Sequence, residues 1–166
     1  MAQSGATILL NHFMATLLNS LPIFSGEYRH ALDGKNRVTI PACWRNGEED
    51  EFFLIVNPSQ GCLTVMPPSV FMSIGEEAKT RFEPSKRQDF IRKLYAKSKQ
   101  VTIDKQGRLL LPEDKGKEAG LQGETVLVGV RDRFEIWSPE SWAKYLLSDE
   151  KNAENNFAQV AREIGL

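Results

Sequence analysis

The chain repeats itself. The segment Asp33-Gly34-Lys35-Asn36-Arg37-Val38-Thr39-Ile40-Pro41 returns as Asp104-Lys105-Gln106-Gly107-Arg108-Leu109-Leu110-Leu111-Pro112, displaced by 71 residues (33 to 104). The same displacement carries Leu63-Thr64-Val65-Met66 onto Phe134-Glu135-Ile136-Trp137, Pro68 onto Pro139 and Phe71 onto Trp142. One displacement shared by so many positions means duplication, so the fold must be two copies of one supersecondary unit. Each unit reads as strand, polar turn, short strand ending at proline, short helix, two further strands and a helix.

Every part of the unit has a local cause. Tyr28, His30 and Leu32 alternate with Arg29, Ala31 and Asp33, the period-2 pattern of a half-buried strand. Asp33-Gly34 is turn chemistry, since the carboxylate can accept backbone N–H bonds and glycine accepts a positive φ. Gly107 takes the place of Asn36, and asparagine is the side chain that best tolerates the left-handed region, so the two copies can share one turn. Pro41 and Pro112 end the second strand and suit the first turn of a helix, predicted over 42–46 or 113–118. Pro68 and Pro139 start the next helices, with Phe71 and Trp142 as anchors to the core. The apolar runs 52–56 and 125–128 supply further strands. The segment 79–98 reads as one linking helix, and the tail from Ser141 as helix with Phe157, Val160, Ala161 and Ile164 on one face. Cys43 and Cys62 read as small core residues and Trp44, Trp137 and Trp142 as core or interface aromatics.

Composition narrows the class. With 166 residues, 41% hydrophobic and 26% charged, the chain is globular and long enough to bury a core without staples. Its two cysteines and two histidines share no metal-ligand spacing, so no metal is expected. Leu10, Phe13, Met14, Leu17, Leu18 and Leu21 permit a short amphipathic helix, but Asn11, His12 and Asn19 interrupt any signal-like apolar core. Residues 1–22 therefore read as an extension outside the fold. The net charge of -1 conceals an asymmetry. Segment 47–77 carries six acidic residues and no base, whereas 79–108 carries ten bases against three acids, a net +7. Such a block either forms the solvated face of a helix or steers phosphates to one side of the molecule.

Lys35 and Arg37 sit in a tight turn and at the start of the strand that leaves it. A rigid ribbon can aim such cations at phosphates, and an arginine there at guanine O6/N7 in the major groove. Alternatively, Arg37 pairs with Asp33 across its own turn and only holds the loop. Lys105 and Arg108 are the corresponding pair in the second copy, with Gln106 able to meet a base edge. Phosphate loops, dinucleotide turns, nucleophile elbows and histidine-centred constellations are all missing from the sequence, so no catalytic residue and no cofactor are expected.

The two Asp-x-x-Gly-Arg-x-x-x-Pro-type motifs, the start Phe24-Ser25-Gly26-Glu27-Tyr28 and the run Arg133-Phe134-Glu135-Ile136-Trp137 before a proline-containing helix together resemble the MraZ family. Asn36 departs from the family's usual glycine. The resemblance covers nearly everything from Phe24 onward. It implies an α+β, predominantly β fold: a double-split, swapped-hairpin β-barrel made of two tandem AbrB-like repeats with capping helices. The expected organisation is an extension over 1–22, repeats over 26–73 and 97–141, a basic connecting helix over 74–96 and a helical tail over 142–166. The implied function is a cytoplasmic, nucleoid-associated transcriptional regulator, a repressor of the bacterial division and cell-wall gene cluster including its own promoter. Its implied partners are double-stranded DNA, bound at promoter direct repeats, and further copies of itself in a ring, with no membrane and no small-molecule substrate. Lys35, Arg37, Lys105 and Arg108 become the DNA-binding candidates, and Asp33, Gly34, Asn36, Asp104 and Gly107 the turn formers. A competing reading is a structural or antitoxin-like oligomer of the same fold, without operator-specific regulation.

Overall fold

Proline marks where helices begin, and strand exchange between the two copies does the rest. The computed structural model describes residues 5, 7–10, 12, 13, 23–45 and 50–166. The first copy contributes β1 (Glu27–Ala31), β2 (Arg37–Thr39), a 3-10 turn (Ala42–Trp44), β3 (Glu51–Val56), β4 (Leu63–Met66), α1 (Pro68–Arg81) and α2 (Pro84–Lys97). The second contributes β5 (Lys99–Thr102), β6 (Arg108–Leu110), α3 (Glu113–Glu118), β7 (Glu124–Val130), β8 (Arg133–Trp137), α4 (Pro139–Lys151) and α5 (Phe157–Glu163). Pro68 and Pro139 open α1 and α4, where a missing N–H leaves no helix bond unmade.

The strands form two antiparallel sheets, a six-stranded one in the order β1-β7-β8-β4-β3-β5 and a two-stranded β2-β6 ribbon. Each copy lends its first strand to the other: β1 pairs with β7 and β5 with β3. A two-fold relation organises the exchange. Val38 faces Leu109 across β2-β6 and Thr64 faces Glu135 across β4-β8, and each pair joins positions related by the 71-residue displacement. Neither copy could close its own sheet, so the two fold as one body.

The core is shared in the same way. Val38, Ile40, Leu54 and Leu63 from the first copy and Ile103, Leu109, Phe134 and Ile136 from the second are fully buried in one cluster. Burying each such side chain stabilises by about 1.5–3 kcal/mol relative to exposure. The rings of Phe24, Trp44 and Phe134 meet edge-on or tilted with centroids 5.3–5.8 Å apart, and the Trp44 indole donates to the Ser25 carbonyl at 3.0 Å. Gly129 in β7 lets residues 24–25 approach closely as Phe24 pairs with Arg131: a Cβ there would stand 2.6 Å from the Ser25 Cα.

Four details differ from the sequence expectation. The linking helix is two helices, because Phe82 and Glu83 take extended backbone ahead of Pro84, which cannot continue α1. The tail is likewise divided, as Asn152 bonds locally to Asn155 and Asn156 caps α5 by accepting from the Gln159 N–H. The short helix after Pro41 is a 3-10 turn only, with Asn46 outside the described residues, while α3 spans Glu113–Glu118 as expected. That turn points Cys43 outward, 3.4 Å from the Tyr28 hydroxyl, so only Cys62 is a core cysteine. Burial, with Glu135 adding to it, pushes the Cys62 thiol up to about 12, which leaves it unreactive at neutral pH.

Phe71, Trp44, Trp137 and Trp142 are buried as expected. Leu10 and Phe13 are helical and exposed, whereas Met14, Leu17, Leu18 and Leu21 lie outside the described residues, as do Glu48 and Glu49 of the acidic run. No described helix is long and apolar enough to cross a membrane.

Candidate nucleic-acid interface

The two duplicated turns cap opposite ends of the β2-β6 ribbon. Ile40 donates to the Gly107 carbonyl at 2.9 Å and Leu111 to the Asn36 carbonyl at 2.9 Å, so each turn abuts the exit of the other copy's strand. Asn36 has φ 58° and Gly107 φ 78°, the shared left-handed position that the sequence predicts.

Each turn is held by its own aspartate. Asp33 accepts the Lys35 and Arg37 backbone N–H groups on Oδ1, both at 2.9 Å, and the Arg37 Nε on Oδ2 at 2.7 Å. Asp104 repeats the pattern with the Gln106 and Arg108 N–H groups at 2.9 Å and the Arg108 Nε at 2.8 Å. The loop-holding pairing weighed for Arg37 is therefore present, in both copies. It does not consume the arginine. The bond uses Nε, and the terminal nitrogens of Arg37 take no part in it, so the carboxylate fixes the guanidinium as a buttressed fork.

Those bonds set the titration. The Arg37 backbone N–H, then the Lys35 N–H and the Arg37 side chain, hold the Asp33 carboxyl down at about 2. The Arg108 side chain, followed by its backbone N–H, lowers Asp104 as well. A carboxyl whose folded pKa lies below its unfolded value adds stability above the unfolded value and loses it as pH falls through the folded one. Acid unfolding followed by tryptophan fluorescence should therefore steepen between about pH 4 and pH 2, and Asp33→Asn should flatten that stretch of the curve. An unchanged curve for the variant would mean the turn bonds contribute nothing to stability.

The two turns are not interchangeable. Lys35 and Gln106 make the same backbone bond, so Gln106 is the counterpart of Lys35, and Lys105 stands where the first copy has Gly34. Lys35 and Lys105 are exposed and hold no ion pair among the described residues. Arg108 is tied further, its Nη2 donating to Gln106 Oε1 at 2.9 Å. Arg45 of the first copy lies over Gly107, with its Nε 2.9 Å from where a Cβ would stand and buried without a hydrogen-bond partner among the described residues. By the displacement, Gly116 replaces Arg45 beside the first turn, where a cavity of about 450 Å³ opens between Asn36, Leu32 and α3. Sequence reasoning missed Arg45, since its contact joins the two copies and leaves no local pattern.

The ribbon between the turns has two faces. Val38 and Leu109 point into the core, while Arg37, Thr39, Arg108 and Leu110 face outward. Three of the ten bases in segment 79–108 are instead paired within their helices: Lys79 with Glu76, Arg81 with Glu77 and Lys93 with Asp89. Such exposed pairs contribute little, and that part of the basic block is a solvated helix surface.

A family model described as "MraZ protein, putative antitoxin-like" matches residues 23–92 and again 94–166. Among similar proteins, one from Desulforamulus reducens is 36% identical over 143 residues, covering 86% of this chain and 97% of its own length. Relatives from Clostridium beijerinckii and Natranaerobius thermophilus are 35% and 37% identical, covering 87% and 86% of this chain and 100% and 96% of theirs. All three bear the name transcriptional regulator MraZ.

Proposed function

The chain belongs to the MraZ family, whose members are named as transcriptional regulators and not as enzymes, and from that premise we propose that it represses transcription by binding double-stranded promoter DNA in a sequence-specific way. Its targets are the division and cell-wall gene cluster and its own promoter, and it works in the cytoplasm on the nucleoid. It binds direct repeats as a ring of identical chains.

The β2-β6 ribbon carries this reading. A two-stranded ribbon fits the major groove, and here it bears Arg37 and Arg108 outward, with an exposed lysine at each end that holds no ion pair among the described residues. Arg37, buttressed by Asp33, reads a base edge, and Lys35 and Lys105 contact phosphates. Arg108, tied by Asp104 and Gln106, adds charge and holds its turn. Asp33, Gly34, Asn36, Asp104 and Gly107 form the turns. Residues 26–73 and 97–141 act as two AbrB-like repeats joined by the basic segment 74–96, with 142–166 as a capping tail and 1–22 outside. The exchange of β1 and β5 supports treating the two sheets as a swapped-hairpin barrel.

A salt titration tests the reading. Each phosphate contact lowers log K by about 0.9 per log unit of salt on duplex DNA. A labelled fragment of the promoter upstream of the protein's own gene should therefore bind with a steep negative slope, despite the net charge of -1. No binding, or binding indifferent to salt, would refute a phosphate-anchored operator complex.

A further inference from the structure

Between the two arginines the ribbon presents carbon. In the register of β2 and β6, Arg37 stands opposite Leu110 and Thr39 opposite Arg108. Directly opposed residues of an antiparallel pair project from the same face, so all four side chains share the outward surface while Val38 and Leu109 lie beneath. Leu110 is 56% exposed and Thr39 is exposed too. A single exposed leucine needs no explanation. Here, however, the displacement relates Leu110 to Thr39, so each half of the ribbon sets a methyl-bearing side chain from one copy beside the arginine of the other.

The floor of the major groove offers hydrogen-bonding atoms and one apolar group, the thymine 5-methyl. Arginine satisfies the first kind of partner, and a leucine or a threonine methyl suits the second. Alternate residues on a strand lie about 6.7 Å apart, close to two base-pair steps of roughly 3.4 Å, so the arginine and the methyl-bearing residue of one strand address different base pairs. We propose that Leu110 and Thr39 are specificity-determining residues that read thymine 5-methyl groups in the operator. The inference rests on the ribbon being the DNA-binding element.

Deoxyuridine supplies the test, because it lacks only the methyl group and keeps every hydrogen-bonding atom of thymine. The full chain is titrated with two duplexes of the promoter upstream of its own gene, one with thymine and one with deoxyuridine throughout. The wild type should bind the deoxyuridine duplex at least about threefold more weakly, the scale of one lost methyl contact. Leu110→Ala should bind the thymine duplex more weakly and show a smaller ratio between the two. Thr39→Ser, which deletes a methyl and keeps the hydroxyl, should also reduce the ratio. Equal wild-type binding to both duplexes overturns the inference while leaving DNA binding intact. So does an undiminished ratio in both variants, or a change in oligomer mass for Leu110→Ala by light scattering, which would place Leu110 between subunits. If the wild type binds neither duplex, the DNA-binding reading itself falls.

Discussion

Arg37→Ala is expected to abolish binding to the promoter upstream of the protein's own gene while the chain stays folded and assembled. The side chain is about one-quarter exposed (27%) and faces away from the core, so truncation creates no cavity. The turn retains the Asp33 bonds to the Lys35 and Arg37 backbone N–H groups, which alanine also provides. What disappears is the buttressed guanidinium, and one bidentate contact to a base is worth about 1–3 kcal/mol of discrimination. A ring would lose that contact once in every subunit, so the losses compound. Arg108→Ala should weaken binding less, because Gln106 and Asp104 already occupy its Nη2 and Nε. Mobility shift with the promoter fragment reads the affinity, and light scattering with circular dichroism reads assembly and folding. Retained operator binding by Arg37→Ala would reduce the arginine to the loop-holding role that its bond to Asp33 also permits.

Residue patterns expose the unit, while its exchange is implied only by the family resemblance, with its swapped hairpin, and by no spacing in the chain. Displacement, alternation and proline spacing placed β2, β6, the starts of α1 and α4, and both turns, because each is governed by residues adjacent in the chain. Pairing β1 with β7 and β5 with β3 depends on which copy's apolar edge is nearer in space, and no local pattern encodes that. The same limit hid Arg45, whose position over Gly107 exists only once the copies interlock. Pro84 reads as a helix break, but the apolar spacing of Phe82, Phe90, Ile91 and Leu94 suggests one helix; Phe82 is in fact extended, and the other three all lie on α2. Cys43 departs from the core because a 3-10 turn rotates successive side chains by a third of a circle, sending Trp44 inward and Cys43 out. For the turns, residue types sufficed: aspartate, a left-handed residue and arginine at fixed spacing can bond in few other ways.

If the chain binds direct repeats as a ring, as proposed, inserting about five base pairs between the repeats should weaken binding sharply, toward the affinity of a single repeat, because half of a 10–10.5 bp turn moves one site to the opposite face of the duplex. The internal two-fold makes this test informative. Exact two-fold symmetry would match each chain to a palindrome, but Lys35 against Gln106 and Gly34 against Lys105 make the two ends of the ribbon unlike. A chain with unlike ends has a direction on DNA. Successive chains joined by a head-to-tail contact keep that direction, and such a contact closes into a ring where the rotation allows. Direct repeats are the sites that such an array can occupy. In such a ring one ribbon would offer few contacts and most of the affinity would come from linkage, which raises avidity by about 10²–10⁴ over a single site when spacing fits and by nothing when it does not. Restoring a full turn, with about ten inserted base pairs, should recover much of the binding if the ring can span the gap. Wild-type protein that binds one repeat as tightly as the array, or that ignores the half-turn insertion, would be acting through isolated chains.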